Sequence, residues 1–304
     1  MNYNEFLDAL LESVESLMGE EYDISYHDIL KNNDNSLKAM VIKRAGDHIS
    51  PTIYLKGFYE DYIYGKSTLF DIRDEIIRLY KDNCNDVSID AQNYENFDYI
   101  KSKIAYKLVN AKSNENMLKD VPWIPILDLA IVFYVIVKID KSGADGTILI
   151  KNNHLKIWGI NKEELIELAK ENTPKIMPSE IRTMKKVISD ILKKRNIKVS
   201  EYELSLNDYF SEDMFVVSNK KMLFGAAALI YDGVLEELSE NIDEDLYILP
   251  SSIHEVIVLP CRNGDEERFN NMVKAVNREE LAASDVLSDH IYRYSRKEKA
   301  LQML

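Results

Sequence analysis

The sequence predicts an α+β protein: one or more mixed, largely antiparallel sheets flanked by helices, with helical N- and C-terminal regions. Three observations carry this. β-prone runs come in pairs around turn compositions, as in hairpins, rather than alternating with helices as in βαβ units. Between them lie segments whose apolar residues recur at helical spacing. No internal repeat or low-complexity segment interrupts the pattern.

In chain order, Phe6, Leu7, Leu10, Leu11, Val14, Leu17 and Met18 form one stripe opposite Asp8, Glu12, Glu15 and Ser16, an amphipathic helix. Residues 22–44 set two β-prone segments around Asn-Asn-Asp-Asn-Ser, a turn composition, and predict a hairpin. Residues 51–65 begin as a strand. Phe58, Tyr59, Tyr62 and Ile63 then take helical spacing until Gly65 stops the helix. Ser67-Thr68 cap a helix to about Lys81, striped by Leu69, Ile72, Ile76, Ile77 and Tyr80. A strand is expected over 103–110.

The polar residues 111–121 lead into Pro122-Trp123-Ile124-Pro125. This stretch is the candidate boundary between an N-terminal α+β region, 1–115, and a C-terminal α+β domain, 116–304, unless the two are one continuous domain. Beyond it the sequence predicts a strand over 127–139, a turn at 141–146, and a strand-like return over 147–160 with a break point at Asn152-Asn153. Next come a helix from Asn161 to Thr173-Pro174, a second helix over 179–195 and a strand over 214–219. A further helix follows, whose Gly225-Ala226-Ala227-Ala228 lets backbones approach closely. The hairpin 245–260 and a helical region from about Glu266 complete the chain.

Composition narrows the function classes. With 46% apolar and 30% charged residues, the 304-residue chain is globular and long enough to bury a core. Its net charge is −14, with acid in excess in both halves, so there is no basic tail or domain. This argues against direct nucleic-acid binding and against an anionic membrane surface, since both draw affinity from Lys and Arg. The apolar run 127–137 is shorter than the ~20 residues that cross a bilayer. No positive charge precedes the first apolar run, so no signal peptide is expected. Two cysteines, Cys84 and Cys261, make neither a disulfide framework nor a metal cluster, and a cytoplasmic setting fits them.

The residues that could carry chemistry are few. Ser251, Ser252, His254 and Glu255 sit between the apolar runs of the last hairpin and are the catalytic candidates. Placing His254 and Glu255 on a strand puts them on opposite faces. The His-Glu pair is no metalloprotease motif, because position 258 is Val rather than His. A Ser–His pair needs an orienting group and an oxyanion hole, and neither is visible. His27, His48, His154 and His290 have no partner at metal-site spacing, so no metal and no cofactor is expected. Lys220 and Lys221 join a strand to a helix start and are binding candidates, as are Tyr59, Tyr62 and Tyr64 among Glu60 and Asp61. Arg182, Lys185, Lys186, Lys193, Lys194, Arg195 and Lys198 form a basic helix face, read as solvated.

The stretches 214–240, 243–260, 287–301, 50–65 and 121–137 together resemble a bacterial family catalogued as a domain of unknown function. The Leu-Pro-Ser-Ser-x-His-Glu pattern of 249–255 is its mark. The resemblance covers most of the chain. It implies a soluble, intracellular bacterial protein and brings no activity, cofactor or catalytic residue with it. The leading expectation is a non-catalytic protein that binds a protein or small-molecule partner. A hydrolase or transferase built around Ser251, Ser252 and His254 is the alternative, and an acidic nucleic-acid mimic the second.

Overall fold

The computed structural model describes residues 1–44, 52–84, 93–138, 145–195, 213–262 and 265–304. His48, Lys198 and residues 141–144 of the expected turn lie outside the described residues. The fold is α+β, with three mostly antiparallel sheets and helices against them. The chain divides into two compact units, Met1–Ile100 with Ile136–Ile148, and Lys101–Val135 with Leu149–Leu304.

The first unit begins with α1 (Tyr3–Met18), which starts at a reciprocal cap. The Asn2 side chain accepts the Glu5 N–H at 3.0 Å and the Glu5 carboxylate accepts the Asn2 N–H at 2.9 Å. Strands β1 (Tyr22–Leu30) and β2 (Ser36–Arg44) form the expected hairpin, paired from Tyr22↔Arg44 to Leu30↔Ser36. Asn33 and Asp34 take positive φ in its turn, a conformation their short polar side chains tolerate. β3 (Thr52–Tyr54) pairs with β2, and α2 (Lys56–Ile63), α3 (Leu69–Cys84) and the short α4 (Phe97–Ile100) follow, with the short α5 (Glu115–Leu118) further along the chain. Thr68 caps α3 by accepting the Asp71 N–H at 3.2 Å. The stripe residues meet as designed by their spacing: Phe6, Leu10, Val14, Met40, Ile42, Ile72 and Ile76 share one core. Each such side chain contributes roughly 1.5–3 kcal/mol on burial.

In the second unit β4 (Ile104–Asn110) pairs with β6 (Leu129–Lys138) from Ile104↔Val135 to Asn110↔Leu129. β5 (Trp123–Ile126) lies on the other side of β6, so the expected boundary segment at 122–125 is in part a strand. Its chain reverses tightly through Leu127, at φ +53°. β7 (Asp145–Leu149), which but for Leu149 belongs with the end of β6 to the first unit, also pairs with β6. Where a strand-like return was expected, Asn152–Trp158 forms α6, burying Leu155 and Trp158 one turn apart. α7 (Lys162–Ile176) begins at an Asn161–Glu164 cap and runs through Pro174. Pro174 lies in the last turn, where only the Lys170 carbonyl loses an N–H partner.

The expected helix 179–195 is two elements. Ser179–Thr183 forms β8, an edge strand paired with β9 (Phe215–Asn219), and Met184–Lys194 forms α8. Thr183 caps α8, accepting the Lys186 N–H at 3.3 Å. A 3₁₀ helix (Gly225–Ile230) and α9 (Val234–Ile242) divide the single helix expected there. β10 (Leu246–Pro250) is buried throughout and antiparallel to β11 (Val256–Pro260). α10 (Glu266–Glu279) follows. The chain then closes in a hairpin, β12 (Tyr292–Ser295) with β13 (Ala300–Met303), rather than in a helix. The alternation buries Tyr292 and Tyr294 and turns Arg293 outward. The last sheet has the order β13-β12-β10-β11-β9-β8.

Two carboxylates anchor the C-terminal hairpin. Asp128, in the β5–β6 turn, accepts from the Ser288 hydroxyl at 2.6 Å and from the Tyr292 phenol at 2.7 Å. Asp245 accepts from Arg293 Nη2 at 2.7 Å and from the Arg296 N–H at 3.0 Å. Burial alone would raise the Asp245 carboxyl, but the bonds from Arg296 and Arg293 outweigh it and hold the group below the ordinary aspartate range. Its contribution to stability is therefore complete above the unfolded value of ~3.9 and is lost as pH falls through the lower folded value. Asp245→Asn is expected to lose about 1 kcal/mol at pH 7 and to show less of the acid-side decline. Urea midpoints of both proteins from pH 7 to pH 3 check this, and equal acid-side slopes would contradict it.

Candidate functional site

The second unit offers two places where polar side chains and concave surface concentrate. The first is the connection 251–255. The Pro250↔Val256 register closes it as a five-residue loop, so His254 and Glu255 lie in the bend and not on a strand. The Ser252 N–H donates to the Glu255 carbonyl at 3.1 Å, and the Ser252 hydroxyl accepts the His254 N–H at 3.0 Å. Ile253 is held on both sides. Its N–H donates to Asp285 O at 2.8 Å and its carbonyl accepts the Ala226 N–H at 3.3 Å.

The rest of the knot comes from 218–226. The Ser218 hydroxyl donates to the His254 carbonyl at 2.8 Å. The Phe224 N–H donates to His254 Nδ1 at 3.1 Å, which places the proton of the neutral ring on Nε2. The Phe224 ring stacks on the imidazole, with centroids 5.8 Å apart at 11°, and Lys107 Nζ lies 4.2 Å from the Phe224 centroid. Buried Asn219 folds the turn back. Its Oδ1 accepts the Lys221 and Leu223 N–H groups at 3.0 and 3.3 Å, and its Nδ2 donates to Leu223 O at 2.8 Å. Phe224 takes φ +53°, and Gly225 passes so close that a β-carbon would sit 2.1 Å from Ser218 Oγ and 2.4 Å from His254 O.

The expected candidates thus fall in different surroundings. Ser252 and His254 are bound into the knot, and Lys220 and Lys221 are exposed on its turn, where the Lys220 N–H meets Pro178 O at 3.0 Å. Ser251 and Glu255 flank the loop, half-buried. In the first unit Tyr59 and Tyr62 pack on its core, each with its ring centroid 5.3 Å from that of Phe6, while Tyr64 is exposed. Among the described residues no three His, Cys, Asp or Glu side chains form a metal-sized cluster.

The second place is a cleft of about 490 Å³ between α7, the sheet of β4, β5 and β6, and the segment 230–234. Strand register builds its floor: Tyr106 pairs with Phe133, and Ile124 with Ile131. Ile166, Lys170 and Pro174, four residues apart along α7, make one wall. Ile230, Tyr231, Asp232 and Val234 make the other, and Gly233, at φ +82°, turns the chain into α9 between the last two. The Tyr106 and Tyr231 rings meet edge to face at 6.0 Å.

The two phenols differ. Tyr231 donates to Met177 O at 3.1 Å. Tyr106 is only 5% exposed, its backbone N–H donates to Thr173 Oγ1 at 3.1 Å, and its hydroxyl has no hydrogen-bond partner among the described residues. Burial, with Tyr231 and Asp232 adding to it, pushes the Tyr106 phenol well above the usual tyrosine range, so it stays neutral. Lys170 and Asp232 are exposed at the rim and are likewise unpaired among the described residues. No local pattern announces Tyr106, Lys170 or Asp232, because the three come from separate elements.

A family model, described as a family of unknown function (DUF5688), matches residues 3–296. The chain belongs to that family. No curated protein and no solved structure matches it. DUF5688 membership spans both units and so includes the knot and the cleft. Among the described residues no helix is long and apolar enough to cross a membrane.

The knot makes a two-part prediction. Gly225→Ala forces a β-carbon into backbone and is expected to cost about 3 kcal/mol or more. His254→Ala strands the Phe224 N–H and is expected to cost about 1–3 kcal/mol. Chemical denaturation measures both, and a neutral Gly225→Ala would contradict the packing described.

Proposed function

We propose that the protein is a non-catalytic, cytoplasmic binding protein that holds a small, largely apolar molecule in the cleft beside Tyr106. One observation carries the reading: a phenol 5% exposed, set in an apolar cleft, whose hydroxyl has no protein partner. The Tyr106 oxygen is not sealed off: it opens onto the cleft, where its hydrogen bond goes to whatever fills that space. A ligand that accepts from Tyr106 supplies the missing partner. The cleft volume lies in the range of ordinary small-molecule sites, ~300–1,000 Å³. The cytoplasmic setting is supported by the sparing use of cysteine.

The rival, a hydrolase or transferase at Ser251, Ser252 and His254, draws less support. The imidazole Nδ1 accepts a backbone N–H, and the Ser252 hydroxyl accepts another. Both groups are engaged in shaping the loop.

The probe is 8-anilinonaphthalene-1-sulfonate, whose fluorescence rises in apolar clefts. Native protein is expected to bind it saturably. Ile166→Arg, on the cleft wall, should abolish the signal while leaving circular dichroism and Tm unchanged. Tyr106→Phe should leave the stability of the ligand-free protein within about 0.5 kcal/mol, since it removes a hydroxyl that bonds no described protein group. Equal dye binding by Ile166→Arg, or a clear destabilisation by Tyr106→Phe, would overturn the reading.

A further inference from the structure

We infer that the cleft takes an aromatic α-amino acid as its zwitterion, with the ring on the apolar floor and the charged head between Lys170, Asp232 and the Tyr106 hydroxyl. The inference rests on the ligand-binding reading above and goes on to name the ligand class. The floor and walls present Phe133, Tyr231 and isoleucines, surfaces on which a flat ring stacks edge-on or offset. The rim carries one cation and one anion, Lys170 from α7 and Asp232 from the segment after the 3₁₀ helix. Neither has a partner among the described residues, although salt bridges are common elsewhere on the surface.

A ligand with a single charge would satisfy one rim group and face the like charge of the other, an arrangement that disfavours it. A zwitterion satisfies both. Its carboxylate meets the Lys170 ammonium and its ammonium meets the Asp232 carboxylate. The neutral Tyr106 hydroxyl, inside the cleft, completes the head group as a hydrogen-bond donor. This site also has the composition of a small-molecule pocket, a broad apolar lining with a few polar groups that fix orientation.

The test is a calorimetric titration of the full chain with L-tryptophan, tryptamine, 3-indolepropionate and indole. Tryptophan is expected to bind at least about tenfold more tightly than either singly charged analogue, the order of one charge-assisted hydrogen bond. Lys170→Ala should weaken tryptophan and 3-indolepropionate about tenfold while sparing tryptamine. Asp232→Asn should weaken tryptophan and tryptamine while sparing 3-indolepropionate. Both residues are exposed, so neither variant threatens the fold. Tryptamine or 3-indolepropionate binding as tightly as tryptophan, or both variants weakening every probe alike, would overturn the inference. Binding of indole alone would overturn it while leaving the cleft-binding reading standing. Silence from all four compounds overturns the inference, and the dye experiment then decides the broader reading independently.

Discussion

At Gly225 the chain passes bare against the Ser218 hydroxyl, the His254 carbonyl and the Asn219 N–H, closer than any β-carbon allows. Much of the second unit depends on that approach. It lets the Phe224 and Ala226 amides reach the 253–254 segment, which fixes where the 3₁₀ helix begins. The 3₁₀ helix in turn delivers Ile230, Tyr231 and Asp232 to the cleft. The constraint set at one end of the six-residue helix is therefore read out as a wall at the other. Tertiary packing also chooses the 3₁₀ form: Gly225 to Leu229 are all buried, and a tighter turn brings their small side chains against sheet and loop.

The knot and the cleft use their polar groups differently. A buried polar group is stable when paired and costly when it is not. In the knot, the side chains of Ser218, Asn219, Ser252 and His254 all bond to backbone groups of their surroundings. These polar residues hold irregular backbone in place where no sheet ladder or helix can. In the cleft, Tyr231 bonds to the Met177 carbonyl, whereas the Tyr106 oxygen bonds no described protein group and opens onto the cleft. The contrast within one pair of touching rings is what makes Tyr106 informative.

Local signals in the sequence carry a large part of this fold. The α1 stripe, the Asn-rich turn of 22–44, the Asn161 cap and the strand 104–110 each appear where patterning places them. The misreadings share a cause. Residues 179–183 continue the helical spacing of 184–194, yet Pro178 and the ladder to β9 take them into a strand. The helical region expected from about Glu266 is α10, and beyond it Tyr292 and Tyr294 alternate inward in a strand beside β10 that the expectation did not include. Pro174 reads as a stop, but buried Thr173 bonds to Ala169 and Tyr106 and carries the helix past it. The serines and histidine of 251–255 are legible as a bend. Their bonds to 218–226 are not, because they lie some 30 residues apart in sequence. The cleft is the least legible of all, since it exists only through the β4–β6 register and the placement of α7.

The most direct measurement of this dependence is native-state hydrogen exchange at the Phe224 and Ala226 amides. If the knot fixes the cleft wall, both exchange as slowly as the buried strand Leu246–Pro250 and open only with it. If they exchange at the rate of exposed turns while that strand stays protected, the wall is set by something other than the contact at Gly225.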